Sequence, residues 1–89
     1  MKWKEQYLSA KARHPDMLLL FQMGNFWEFF DDDAELASKL LGLTLTKRGD
    51  VLMACFPRHV LETSLRKLLQ AKYRVAICEP VKEESSGRS

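Results

Sequence analysis

Apolar residues recur along the chain with two alternating periods, first helical and then extended. The spacing predicts a helix over Lys2–Arg13, with Trp3, Tyr7, Leu8 and Ala12 on one side and Lys4, Glu5, Lys11 and Arg13 mostly opposite. Pro15 stops it, because the residue before a proline is pushed out of the helical region. Met17–Met23 is apolar enough for a strand buried on both faces, Gly24-Asn25 makes a turn, and Phe26–Phe30 is a second strand. A second helix is expected over Asp32–Leu41. One of Asp31, Asp32 and Asp33 caps it, the others complement its dipole, Ala34, Ala37, Leu40 and Leu41 form its buried stripe, and Gly42 stops it. Strands over Leu43–Lys47 and Val51–Phe56 are joined through Arg48-Gly49-Asp50, a link suited to a tight hairpin. Pro57 opens a third helix reaching Ala71, with Val60, Leu61, Leu65, Leu68 and Leu69 inward and Arg66, Lys67 and Gln70 outward. Tyr73–Glu79 is the last strand. The order αββαββαβ predicts an α/β (α+β) fold, a mixed β-sheet covered by about three helices. Residues 1–80 form one domain and residues 81–89 a polar, disordered tail.

Composition narrows the picture little. Eighty-nine residues, 46% of them hydrophobic, suffice for a single core. The longest apolar run, Met17 to Phe21, is far too short to cross a bilayer, and the N-terminus lacks the apolar stretch of a signal peptide. A cytoplasmic protein with no membrane partner is expected, nucleoid-associated if bacterial. Cys55 and Cys78 lie in apolar segments and read as buried free thiols. The net charge of +2 is unevenly spread. Residues 1–45 carry five Lys/Arg against seven Asp/Glu, and residues 46–89 carry nine against five. A mildly basic second half permits phosphate contact without demanding it.

Catalytic chemistry finds no foothold. Asp31-Asp32-Asp33 suits a helix start better than a metal shell, since no second acidic cluster completes one. His14 and His59 belong to no Cys/His metal spacing, and no phosphate loop of the G-x-x-x-x-G-K-[ST] type occurs. Neither an enzyme nor a cofactor is expected. The segment Met23-Gly24-Asn25-Phe26-Trp27-Glu28-Phe29-Phe30 is different in kind. In an extended chain Phe26 and Glu28 share one face, and Trp27 and Phe29 the other. One pair packs inward, leaving an apolar wedge beside a hydrogen-bond acceptor pointing outward. A half-buried strand at a sheet edge accounts for the same residues, and solvated surface charge accounts for Lys47-Arg48 and Arg58-His59.

The order of segments resembles the N-terminal mismatch-recognition domain of the MutS family, over about Gln6 to Glu79. The residues that carry the likeness are Gln6-Tyr7-Leu8 with Lys11 and His14-Pro15, then Met23 to Phe30 followed by Asp32-Asp33-Ala34. Leu45-Thr46-Lys47-Arg48-Gly49, Met53-Ala54-Cys55-Phe56-Pro57 with His59, Leu65 and Leu68, and Val75-Ala76-Ile77-Cys78-Glu79 continue it in order. The resemblance implies a minor-groove role in DNA mismatch repair. Phe26 would stack on one base of a mispair, Glu28 would contact that base, and Lys47, Arg48, Arg58, His59 and Lys72 would contact the backbone. The expected partner is double-stranded DNA carrying a mismatch or distortion. Asn25 stands where the family usually has an acidic residue and Trp27 where it usually has tyrosine, and the segment between Arg48 and Met53 is short. The family's connector, lever, clamp and ATPase domains are expected to be missing, so a homodimer or a repair-protein partner would have to add affinity. Two rival expectations are a protein-interaction module that has lost DNA binding and a single-stranded nucleic acid binder.

Overall fold

The computed structural model describes residues 2–78, with side chains from Lys4 onward. The expected tail over 81–89, Glu79 and the Trp3 side chain lie outside the described residues. The elements run α1 (Lys2–Arg13), β1 (Met17–Met23), β2 (Phe26–Phe30), α2 (Asp31–Leu41), β3 (Thr46–Arg48), β4 (Val51–Pro57), a 3-10 turn (Arg58–Val60), α3 (Leu61–Gln70) and β5 (Arg74–Cys78). The order is the one expected from the sequence. They build a five-stranded mixed sheet in the order β3-β4-β2-β1-β5, with β1 and β5 parallel and the other neighbours antiparallel.

Each sheet face has its own core. Leu18, Leu20, Trp27, Phe29, Ala54 and Phe56 point to the face covered by Ala34 and Ala37 of α2 and Leu68 of α3. Leu19, Phe21, Phe30, Val51 and Met53 point to the other, where Tyr7 and Ala10 of α1 cover them. Tyr7, Phe21 and Phe30 form a three-ring cluster with centroids 5.7 to 6.1 Å apart, and the Tyr7 hydroxyl donates to the Phe30 carbonyl at 3.2 Å. Tilted and edge-on rings at such distances add to the burial they provide. Desolvation pushes the Tyr7 phenol pKa up, and Asp33 adds to the push.

Five local expectations need correcting. Leu8 is 55% exposed and Ala12 is exposed, whereas Ala10 is buried. One helix laid across a sheet buries a narrow stripe, and Tyr7 and Ala10, three residues apart, occupy it. Leu69 is 57% exposed because Leu61, Ser64, Leu65 and Leu68 already fill the inward side of α3, with Leu69 a further step round. β3 begins at Thr46 and not Leu43. Gly42 adopts φ +71°, the N–H groups of Gly42 and Leu43 both donate to the Ser38 carbonyl, and Ser38 Oγ donates to the Leu43 carbonyl at 2.7 Å. The backbone of Leu43 is used to end α2 and cannot join a ladder. Tyr73 is likewise held by the end of α3, its N–H donating to the Leu68 carbonyl, so β5 starts at Arg74.

The aspartates also act differently from the expectation. The residue preceding α2 is Phe30, with no side-chain cap. Asp33 instead turns into the interior, where it is buried. Its Oδ1 accepts from Lys11 Nζ at 2.9 Å and its Oδ2 from the Leu19 N–H at 3.0 Å, while Lys11 Nζ also donates to the Met17 carbonyl. One carboxylate thus ties α1, β1 and α2 together. Cys55 and Cys78 are free and half-buried. They lie on β4 and β5 with β2 and β1 between them. Three strand spacings of about 4.8 Å separate them, too far for a disulfide.

Candidate nucleic-acid interface

The β1–β2 hairpin has a two-residue turn, because Met23 pairs with Phe26. Gly24 takes φ +62° there, a value that glycine adopts without strain. Phe26 is therefore the first strand residue after the turn, flanked by Met23 on β1 and Pro57 on β4. The Arg58 N–H donates to the Asn25 carbonyl at 3.0 Å, fastening the turn to the segment that leads into α3. Asn25, Phe26, Pro57, Arg58 and His59 line a shallow open depression at this end of the sheet. Phe26 is 44% exposed, although the next four residues of β2 are all buried.

β2 is the central strand, not a half-buried strand at a sheet edge. Trp27 and Phe29 enter the α2/α3 core as the alternation predicts. Glu28 does not point freely outward. It lies one row inward from Phe26, opposite Phe21 and Cys55, and is 5% exposed. Arg48 Nη2 approaches its Oε2 at 3.6 Å, while Oε1 is buried without a hydrogen-bond partner. Burial pushes the Glu28 pKa up and Arg48 draws it down, with burial the larger effect. Burial likewise raises the Cys55 thiol, and the neighbouring Glu28 raises it further.

The basic candidates divide by position. Thr46 and Arg48 pair with Met53 and Val51, which places Arg48 on the sheet face that carries Glu28. Lys47 pairs with Leu52 and by alternation belongs to the opposite face. Arg58 and His59 stand beside Phe26. Lys72, with φ +73°, lies just before β5. There Arg74 pairs with Met17, at the far end of β1 from Met23. The fold therefore gathers Phe26, Glu28, Arg48, Arg58 and His59, and leaves Lys47 and Lys72 apart from them.

The family model of MutS domain I matches residues 2–89. The chain belongs to the MutS domain I family. It is 52% identical over 90 residues to the DNA mismatch repair protein MutS of Salinibacter ruber, covering 93% of this chain and 10% of that protein. Identity to the MutS protein of Thermotoga neapolitana is 48% over 84 residues, 94% of this chain and 10% of that one. To that of Rickettsia akari it is 46% over 93 residues, 99% and 10% respectively. The chain thus spans about a tenth of the length of the curated relatives it matches. Among the described residues of this MutS domain I, no helix is long and apolar enough to cross a membrane, and no group of three potential ligands could hold a metal ion.

Three features of this domain I were not read from the sequence: the Glu28–Arg48 ion pair, the Asn25–Arg58 fastening, and the Pro57 neighbour of Phe26. The last two depend on β2–β4 register and the first also on β3–β4 register, of which only the latter was hinted at, by the Gly49-Asp50 link. Glu28 also carries a testable stability effect. A carboxyl whose folded pKa lies above its unfolded value binds its proton more tightly in the native state. Its charge penalises folding fully above the folded pKa, and the penalty disappears as pH falls below the unfolded value. Glu28→Gln should therefore be more stable than the parent at pH 7 to 8, with the difference shrinking toward pH 4. Urea melts across that range check it, and a constant difference would contradict the assignment.

Proposed function

We propose that this domain reads mispaired or distorted double-stranded DNA from the minor groove, as part of DNA mismatch repair. Phe26 is the wedge between bases, Glu28 contacts the base beside it, and Arg58 and His59 face the backbone, while Arg48 stands at Glu28. The observation that carries this reading is the pairing of one half-exposed ring with a buried carboxylate oxygen that has no partner, one row apart on a central strand. A wedge that unstacks a base step costs a few kcal/mol, and least where pairing is already defective. Bending likewise favours a mismatched duplex over a stiff matched one. Lys47 and Lys72 add general attraction for phosphate from outside the reading site.

Two to four phosphate contacts leave an isolated domain of this kind near the non-specific range, roughly 10⁻⁴ to 10⁻⁶ M. In proteins ten times as long, the remainder can supply effective concentration. A homodimer or a repair-protein partner would raise effective concentration in the same way. Single-stranded binding is less well supported, because it needs several stacking rings. Among the described residues Phe26 is the one aromatic in the set of exposed large hydrophobic side chains.

Fluorescence anisotropy at low salt, with matched, G·T-mismatched and single-stranded DNA of one sequence, tests the reading. Tighter binding to the mismatch supports it. Equal weak binding to both duplexes, or preference for the single strand, refutes it. Arg58→Ala should weaken matched and mismatched binding by a similar factor and reduce the salt slope by about one. A loss confined to the mismatch would instead place Arg58 on the base.

A further inference from the structure

The two oxygens of Glu28 have different surroundings. Oε2 is near the Arg48 guanidinium, and Oε1 is buried with nothing to bond. Buried acceptors are nearly always paired, so the free one calls for an explanation. Arg48 reaches this position through hairpin geometry. Gly49, at φ +63°, and Asp50 close a two-residue link that sets Arg48 opposite Val51. That pairing places Arg48 on the face of Val51 and Met53, where Glu28 also lies. A slip of one residue would send Lys47 there in its place.

The neighbours of Glu28 on every side limit what else could hold it. β1 presents Phe21 and β4 presents the Cys55 thiol directly opposite. α1 packs over the adjoining Phe21 and Phe30 through Tyr7, and its Lys11 ammonium is engaged by Asp33 and the Met17 carbonyl. β3 brings Arg48, which is 47% exposed at its side chain and so retains access to solvent.

We propose that Arg48 is a positioning residue, which stands at Glu28 Oε2 and offsets its charge so that Oε1 is left free for the base edge beside Phe26. The inference rests on the reading of Phe26 and Glu28 as the base-contacting pair. It assigns Arg48 a different task from that of Arg58. A guanidinium beside a carboxylate brings that acid close to phosphates without net repulsion. A guanidinium spent on phosphate would leave Glu28 charged and repelled.

The test combines ¹³C-detected carboxyl titration of the free domain with duplex binding, for the parent, Arg48→Gln and Arg48→Lys. In Arg48→Gln the Glu28 titration should move further upward, because burial is then unopposed. The pH dependence of mismatch preference should move in the same direction, and the preference at pH 8 should fall by about fivefold, the scale of a partly exposed ion pair. Arg48→Lys should bring the titration back toward the parent by restoring charge, and the mismatch preference should recover with it. An unchanged Glu28 titration in Arg48→Gln overturns the proposal. So does an equal loss on matched and mismatched duplexes with a lower salt slope, the signature of a phosphate contact. A parent domain without mismatch preference would defeat the base-contact reading itself, and the free-domain titration would still decide whether Arg48 controls Glu28.

Discussion

Phe26→Ala is expected to erase the preference for a mismatched over a matched duplex while leaving the domain folded. Base–aromatic stacking is worth about 1–3 kcal/mol. Its loss spans roughly fivefold to more than a hundredfold in affinity, enough to cancel any preference an isolated domain can show. The stability effect should be small. Phe26 is half-exposed at the mouth of a hairpin and belongs to neither core cluster. Its substitution removes cross-strand contact with Pro57 and Met23, a change expected to stay within about 1 kcal/mol. Binding and folding therefore separate at this position, which they would not at Phe29 or Phe30. Anisotropy on the two duplexes, with a thermal melt of the same sample, checks both halves. A preference that survives the substitution rules out the wedge.

The sequence was informative about where the elements change and which of them are helices or strands. Pro15, Gly24, Gly42 and Gly49 punctuate the chain where the elements change, and the αββαββαβ order follows from periods read between them. The face alternation of Phe26–Phe30 also placed Trp27 and Phe29 in a core. What stayed hidden depends on partners far along the chain. Glu28 is buried because β4 flanks β2 on the side away from β1, and a strand cannot show from its own residues whether it is central. Arg48 and Lys47 look equivalent in sequence, yet the register of a three-residue strand sends them to opposite faces. Leu8 and Ala12 look like core residues until the width of contact between one helix and a sheet is known. The placement of Phe26 and Glu28 on one face of β2 was thus legible, but the burial of the acid and its pairing with Arg48 were not.

The largest expected stability loss lies away from the depression, at Asp33. Three adjacent aspartates at a helix start suggest interchangeable dipole partners, and position 33 alone shares the inward side of α2 with Ala34 and Ala37. Asp33→Ala removes the acceptor of the Leu19 N–H, in a residue that is completely buried, and one partner of the Lys11 ammonium. Orphaning a buried donor costs about 1–3 kcal/mol, and breaking a buried ion pair costs more. Lys11 is partly solvated, so a combined loss of about 2–4 kcal/mol is expected. In a domain of this size each kcal/mol lowers the melting temperature by about 4–8 °C, so the melt should fall by at least about 8 °C. Asp33→Asn separates the two contributions, since its amide oxygen can still accept from Leu19 while the charge is gone. It should lose less than Asp33→Ala, and the difference between the two measures the Leu19 hydrogen bond. A loss below about 0.5 kcal/mol for Asp33→Ala, typical of a surface substitution, would show that the tie among α1, β1 and α2 is not what holds them together.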